Sequence, residues 1–368
     1  MNKGMKWSAA LLSAGIVLGG SVLTGEVSVS AASTDNQVIN KNVQQANVAL
    51  KYNGKTLTQQ GRAIDGNTMI PLTFLRDALG LPLSYTPSTK TSTVDIGSKK
   101  LNMETSEYGV YTNLNGYYIY SYTNKYEVKN VDGHLYVPFK LLSDYLGFQG
   151  VYNPSLKSLD ISKRVLNDIS ISTETLNKSN KNADIQIQYP QISGLTDEAQ
   201  QAINTVFKQK AEAFATASEK QASQRDGSVE RKYDFSQNFI VSFNREGVLS
   251  IVVDQDSYIG GAHGSTIREG LTFSLNTGNQ MQLGDLMKAA PNYKQNLDKM
   301  LKERTKEVSF ADVSPGLNAK PDFYVKEGGI AILYQQYEIA PYAAGLPTFE
   351  FNFSDLLPKG TDPFTSFK

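Results

Sequence analysis

His134 and His263 are the only imidazoles in these 368 residues, and there is no cysteine. A catalytic zinc ordinarily takes roughly three protein ligands, mostly His. By count only mixed sites of His with carboxylate remain, so neither a metal nor a cofactor is expected. His263 is the one residue whose surroundings invite a catalytic reading. It stands in Gly260-Gly261-Ala262-His263-Gly264, a loop leaving a strand, where glycines allow positive φ and close backbone approach. A nucleophile–His–carboxylate set can be drawn with Ser257 or Ser265 and Asp254 or Asp256. No Gly-x-Ser-x-Gly elbow accompanies it, and such near neighbours in sequence seldom meet in triad geometry. A histidine that shapes its loop by hydrogen bonding is the preferred reading, contact with a ligand the second, catalysis the last.

The segment Tyr337-Glu338-Ile339-Ala340-Pro341-Tyr342-Ala343-Ala344-Gly345 poses a similar choice. Pro341 drives Ala340 toward extended backbone, and Ala343-Ala344-Gly345 keeps the turn slim. It reads first as a rigid loop closing the core. Read as function, Tyr337, Glu338 and Tyr342 offer rings and an acid that would suit a basic partner. Tyrosines also crowd residues 108–126. Asn115-Gly116 is a hairpin signal, after which Tyr118, Tyr120 and Tyr122 share one strand face at period two. That row either packs on a core or faces solvent to stack on sugars or a partner. The candidate ligand contacts are therefore Tyr258, Gly260, Gly261, His263, Tyr337, Glu338, Tyr342, Tyr118, Tyr120 and Tyr122. No spacing singles out a carboxylate pair for glycoside chemistry, and no catalytic residue is assigned.

The elements that must position these residues begin with an export signal. Lys3 and Lys6 precede an apolar run from Ala9 to Leu23, and Ser30-Ala31-Ala32 ends it with small residues suited to cleavage, giving a signal peptide over 1–32. The run is shorter than the roughly 20 residues a membrane helix needs; retention as an anchor is the alternative. The mature chain is expected outside the cell, secreted or wall-associated and not embedded in a membrane. Lys3, Lys6 and Glu26 leave with the signal, so 34 basic side chains face 35 acidic ones. That balance gives no electrostatic reason to expect a nucleic acid or an anionic membrane as partner. Without cysteine, stability rests on apolar cores.

A polar lead-in over 33–47 gives way to an internal repeat. Asp65-Gly66, Ile70-Pro71-Leu72, Leu75-Arg76-Asp77-Ala78-Leu79-Gly80 and Tyr85-Thr86-Pro87-Ser88-Thr89-Lys90 return 67 residues later. The second copy reads Asp132-Gly133, Val137-Pro138-Phe139, Leu142-Ser143-Asp144-Tyr145-Leu146-Gly147 and Tyr152-Asn153-Pro154-Ser155-Leu156-Lys157. Each copy predicts an Asp-Gly turn, a short strand, a Pro-opened helix ended by Gly80 or Gly147, and a turn into a returning strand, spanning 65–96 and 132–161. One copy cannot bury its apolar face alone; two side by side can. The domain is placed at 48–163, and a Ser-, Thr-, Asn- and Lys-rich linker at 164–182.

Residues 183–357 have another texture, with a tail over 358–368. Asp184 to Tyr189 alternates as a strand ending at Pro190. Thr196, Asp197 and Glu198 start a helix whose apolar positions run to about Gln221. Strands are expected near 232–243, 248–258 and 266–275, a helix over 285–307, and strands near 322–325, 330–335 and 348–353. Runs of strands with segregated helices argue for an α+β fold with a largely antiparallel sheet.

The repeated half, through residues 70–80 and 137–147, resembles the N-terminal domain first named in copper amine oxidases. The resemblance implies a small sheet module and no activity, since that chemistry needs a catalytic domain with three copper-binding histidines. The second half is similar to the extracellular domain shared by anti-sigma-V factors and peptidoglycan deacetylases. Ser257 to Gly264, Phe273-Ser274-Leu275-Asn276-Thr277-Gly278 and Tyr337 to Gly345 carry it, in order. In anti-sigma factors such a domain is a lysozyme receptor, which implies binding of a lysozyme-like protein or a peptidoglycan component. The expectation is an exported, non-catalytic binding protein of the cell envelope; the alternative is a wall hydrolase or deacetylase-related enzyme using unidentified carboxylates.

Overall fold

The computed structural model describes residues 46–119, 124–227, 230–310 and 315–368. The expected signal, the lead-in up to residue 45, Tyr120 and Tyr122 lie outside them. The repeated half contains β1 (Ala46–Tyr52), β2 (Lys55–Ile64), β3 (Asn67–Pro71), α1 (Leu72–Asp77), β4 (Leu83–Thr86), β5 (Thr91–Ile96) and β6 (Lys99–Ser106). It continues with β7 (Gly109–Leu114), β8 (Tyr117–Tyr118), β9 (Lys129–Val131), β10 (His134–Pro138), α2 (Phe139–Tyr145), β11 (Phe148–Asn153) and β12 (Ser158–Lys163).

Local chemistry sets the turns of both copies alike. Asp65 and Gly66 have φ of 50° and 77°, Asp132 and Gly133 53° and 80°, the paired positive values of a tight hairpin reversal. Pro71 and Pro138 cap α1 and α2, and Gly80 and Gly147 follow at φ of 69° and 77°. The copies meet where β3 runs antiparallel to β10, with Ile70 opposite Val137. These are the same position of the two copies, so a local twofold passes between them. Leu75 and Leu142, again equivalent, are fully buried.

The symmetry ends at the returning hairpins. That of the second copy, β11–β12, joins β1 in a seven-stranded sheet ordered β11-β12-β1-β2-β3-β10-β9; that of the first enters a separate sheet, β4-β5-β6-β7-β8.

The second half begins earlier than expected, because the 164–182 stretch placed as a linker contains β13 (Ser170–Asn177). Its polar Ser and Thr residues leave only Ile171 and Leu176 half-buried, a pattern that looks like a spacer. Next come β14 (Ala183–Ser193), α3 (Asp197–Ser223), β15 (Tyr233–Arg245), β16 (Val248–Tyr258) and β17 (Ser265–Ser274). They form one sheet, β13-β14-β15-β16-β17. β14 runs on through Pro190 because β15 pairs with it only as far as Ile187, so no ladder bond to β15 is lost there. Every fourth residue of α3 from Ile203 to Ala215 is buried against the sheet, whereas Ala202, Ala213 and Ala217 are exposed.

The helix expected over 285–307 is divided into α4 (Leu283–Leu286) and α5 (Tyr293–Thr305), with Pro291 between them, where a proline disfavours helical backbone at the preceding residue. β18 (Asp322–Lys326), β19 (Gly329–Leu333) and β20 (Thr348–Asn352) form a three-stranded sheet followed by α6 (Phe353–Leu356).

The described residues from Ala46 to Lys368 form one compact unit, and the strands show how the halves are joined. In β19, Ile330 and Ile332 pack with α5, while Ala331 and Leu333 point into the core of the repeated half. In β16, Ile251 and Val253 pack beneath α3, while Val252 joins Ile240 of β15 on the opposite side, again in the core of the repeated half. Alternating side chains therefore tie one strand to two cores. The architecture is α+β, with two halves sharing apolar contact.

Candidate functional site

Where the halves meet, a cavity of about 840 Å³ remains. One wall comes from the repeated half: Tyr117, Tyr118, Lys125, Tyr126 and Tyr145. The other comes from Ile240, Val252, Asp254, Asp256, Thr266 and Arg268, with Tyr342, Thr348 and Glu350 completing it. Residues 252, 254 and 256 reach it together because they share one face of β16.

The register of β16 with β17 creates the charged floor. Asp254 lies opposite Arg268 and Asp256 opposite Thr266. Arg268 grips Asp254 with both arms, Nε to Oδ1 at 2.7 Å and Nη2 to Oδ2 at 2.6 Å, and its guanidinium lies 5.7 Å from the centre of the buried Tyr117 ring. Thr266 donates its hydroxyl to Asp256 at 2.5 Å. Burial pushes the Asp256 carboxyl above its ordinary range, with the Thr266 hydrogen bond opposing the shift.

The remaining acids of this region are also paired. Glu350 meets Lys125 and, at 3.4 Å, Lys326. Burial pushes that carboxyl up, but the two lysines outweigh it and hold it below the usual value. Behind the wall, Asp144 accepts the Tyr126 hydroxyl at 2.6 Å and is paired with Lys140.

At the edge of the cavity the two glycine-containing loops come together. The His263 ring stacks on Tyr342, centroids 3.7 Å apart and 17° from parallel. Its Nδ1 contacts the Gly264 carbonyl at 2.9 Å and its Nε2 the Tyr337 hydroxyl at 3.3 Å. A carbonyl can only accept, so Nδ1 carries a proton. Neither nitrogen engages Ser257, Ser265, Asp254 or Asp256, and the triad drawn from sequence is not assembled. Tyr337 itself lies 5.9 Å from Tyr342 at a φ of 63°, a conformation costing about 1–2 kcal/mol for an ordinary residue.

Why the loops meet is visible in the side chains before them. β17 is the last strand of its sheet, and its open edge is covered by two glutamines. Gln335 accepts from the Arg268 amide at 3.1 Å and donates to the Arg268 carbonyl at 2.7 Å. Gln336 accepts from the Thr266 amide at 2.9 Å. Together they continue the strand ladder and deliver Tyr337 to His263. Glu338, expected as an acidic contact, instead holds the loop: its oxygens accept from the Gln335 amide and the Asn318 side chain, both at 2.7 Å. On the other loop, Gly260 and Gly261 adopt φ of 95° and 92°, and Tyr258 donates to the Gly261 carbonyl at 3.1 Å.

The expected contacts thus divide. The exposed His263 and Tyr337 cluster with the half-buried Tyr342, Tyr118 shares the cavity with Tyr342, and Tyr258, Gly260, Gly261 and Glu338 build the loops. Of the tyrosine row only Tyr118 is described; β8 is two residues long, and Tyr117 on its other face is buried. Sequence reasoning did not single out Arg268, Thr266, Lys125, Tyr126 or Glu350. A signal existed for the first two: Asp254-x-Asp256 and Thr266-x-Arg268 are spaced symmetrically about Gly261, as hairpin partners must be.

Three consecutive segments match known families. Residues 51–161 match the copper amine oxidase N-terminal domain, residues 176–266 the family described as deacetylase PdaC, and residues 284–354 a family described as a protein of unknown function, DUF3298. His263 falls in the second segment and Tyr342 in the third, so the ring stack bridges two matched regions. No curated protein matches the chain. Among solved structures, a DUF3298 family member from Bacteroides fragilis is similar at 16% identity and a TM-score of 0.39, covering 50% of this chain and 91% of its own. A second, from Pseudomonas aeruginosa, is similar at 13% identity and a TM-score of 0.34, covering 53% of this chain and 97% of its own.

Proposed function

We propose that this chain is an exported, non-catalytic binding protein of the cell envelope, and that the cavity between its halves holds a peptidoglycan glycan segment. One observation carries the reading. The exposed His263 of one loop stacks on the half-buried Tyr342 of another loop far away in sequence, with the exposed Tyr337 tilted beside them, at the edge of a cavity that Tyr118 also lines. Flat ring faces beside amide and hydroxyl groups are what a sugar needs: its C–H faces pack on the rings and its hydroxyls find Asn238, Gln336 and Thr348, which also line the cavity. The volume lies within the range of small-molecule sites. Commitment of Glu338 to its own loop favours a glycan over a basic protein such as lysozyme.

The state of the acids supports binding rather than turnover. A glycosidase needs two available carboxyl groups. Here Asp254 is held by Arg268 and Glu350 by two lysines, leaving Asp256 with a single hydroxyl donor.

The test is sedimentation of the chain with purified peptidoglycan, beside assays of released reducing sugar and released acetate. Retention on the wall, lost in Tyr342→Ala and His263→Ala, without release of either product, is the expected result. Product release abolished by Asp256→Asn would replace this reading with the enzymatic one. Capture by lysozyme but not by wall would replace the ligand.

A further inference from the structure

We infer that the repeated half carries a second binding site, for a phosphorylated polyol, in the seam between its two copies. It is independent of the cleft described above. A cavity of about 650 Å³ opens where β3 and the start of α1 from the first copy lie beside β10 of the second, roofed by the β4–β5 hairpin. Arg62, Lys90 and His134 line it, with Tyr85 and the hydroxyls of Thr73 and Ser92, and among the described residues no aspartate or glutamate lines it. The interdomain cleft, by contrast, balances its cations with Asp254, Asp256 and Glu350. In a chain with a formal net charge of zero, the two charged side chains that line this seam, Arg62 and Lys90, are both positive.

The geometry fits it for an anion with hydroxyl groups. The Arg62 guanidinium lies over the Tyr136 ring, its Cζ 5.0 Å from the ring centre, a cation–π contact at the wall of the cavity. Its ion pair with Asp132 spans 3.8 Å, and that carboxylate is 83% exposed, so solvent screens this pair. Lys90 is held at the tip of the β4–β5 turn at a φ of 51°, with its amide bonded to the Pro87 carbonyl and its carbonyl to the Thr105 amide. The backbone is anchored and the side chain is exposed. Tyr85, 60% exposed, supplies an apolar face for the carbon skeleton. A repeating polyol phosphate and a free phosphate monoester share this chemistry; charge spaced along a polymer would let Arg62 and Lys90 engage separate phosphates.

The experiment is titration calorimetry of the full chain with poly(glycerol phosphate) oligomers, glycerol phosphate and a neutral glucan oligomer. Oligomer binding that weakens with added salt, and falls roughly tenfold in Arg62→Gln and again in Lys90→Gln, is expected. Lys90 is an exposed turn side chain, so its variant folds even if that of Arg62 does not. Monomer binding as tight as oligomer binding supports the site with a free ester as its ligand. Absence of phosphate binding, equal binding of the neutral glucan, or wild-type affinity in both variants overturns the proposal. Tyr342→Ala should bind the phosphate oligomer normally, and a loss there would overturn the independence of the two sites.

Discussion

Substituting Arg268→Met should reveal how much of the chain's stability rests on the buried pair beneath the cleft. The side chains of Arg268 and Asp254 are 18% and 12% exposed and joined by two short bonds. An exposed ion pair contributes about 0–1 kcal/mol. Removing one partner of a buried pair costs about 3–5 kcal/mol, because the remaining charge is left without compensation. Burial decides between these ranges, so the expected loss is about 3 kcal/mol or more, a large share of the roughly 5–15 kcal/mol available to a folded protein. Asp254→Asn should cost a comparable amount by stranding Arg268. The double variant Asp254→Asn/Arg268→Met should be markedly less destabilised than the sum of the single ones. Urea unfolding followed by circular dichroism measures all three. A loss below about 1 kcal/mol for Arg268→Met, or simple additivity in the double variant, would refute the assignment of a buried, mutually dependent pair.

Other perturbations test separate parts of the account. Gly270→Ala would place a Cβ 1.9 Å from the Phe323 carbonyl oxygen; with backbone on both sides, a loss of about 3 kcal/mol or more is expected in thermal or urea unfolding. Asp256 has a raised folded pKa, so its contribution is complete below the unfolded value and is lost as pH rises through the folded one. Asp256→Asn should therefore gain stability relative to wild type on going from acidic to neutral pH, and a constant difference would contradict the shift. Burial draws the Lys99 ammonium down to about 8, with Nζ donating to the Tyr145 carbonyl at 2.9 Å. Wild-type stability should rise, relative to Lys99→Met, from pH about 8 towards the ordinary lysine value of 10.5 and fall as pH drops through 8. Parallel pH profiles would exclude that burial effect.

The parts of this molecule legible in sequence are those governed by local chemistry. Asp65-Gly66 and Asp132-Gly133 dictate positive-φ turns, Pro71 and Pro138 open helices, and Gly80 and Gly147 follow their ends. The alternation of β15, β16 and β19 likewise announces strands. What alternation does not announce is the partner: Val252 and Ala331 look like any other core residues, yet they join the halves. Nor does it tell where a hairpin goes, and the two equivalent hairpins enter different sheets. The candidate site was half visible. Gly260-Gly261 and Pro341 marked two special loops, but their meeting depends on Gln335 and Gln336 capping the edge of β17, a long-range contact without a local signature. Nor does the sequence show the partners of Glu338, since its bonds to Asn318 and the Gln335 amide are set by the loop's fold.

The most direct test of glycan binding in the cleft uses the scarcity of imidazole. With two histidines in the whole chain, ring-proton NMR gives two assignable signals, that of His263 identified by its loss in His263→Gln. Titration with soluble peptidoglycan fragments should move the His263 signal and leave His134 unchanged. Saturation with those fragments while His263 stays fixed, or a shift at His134 alone, would contradict the account.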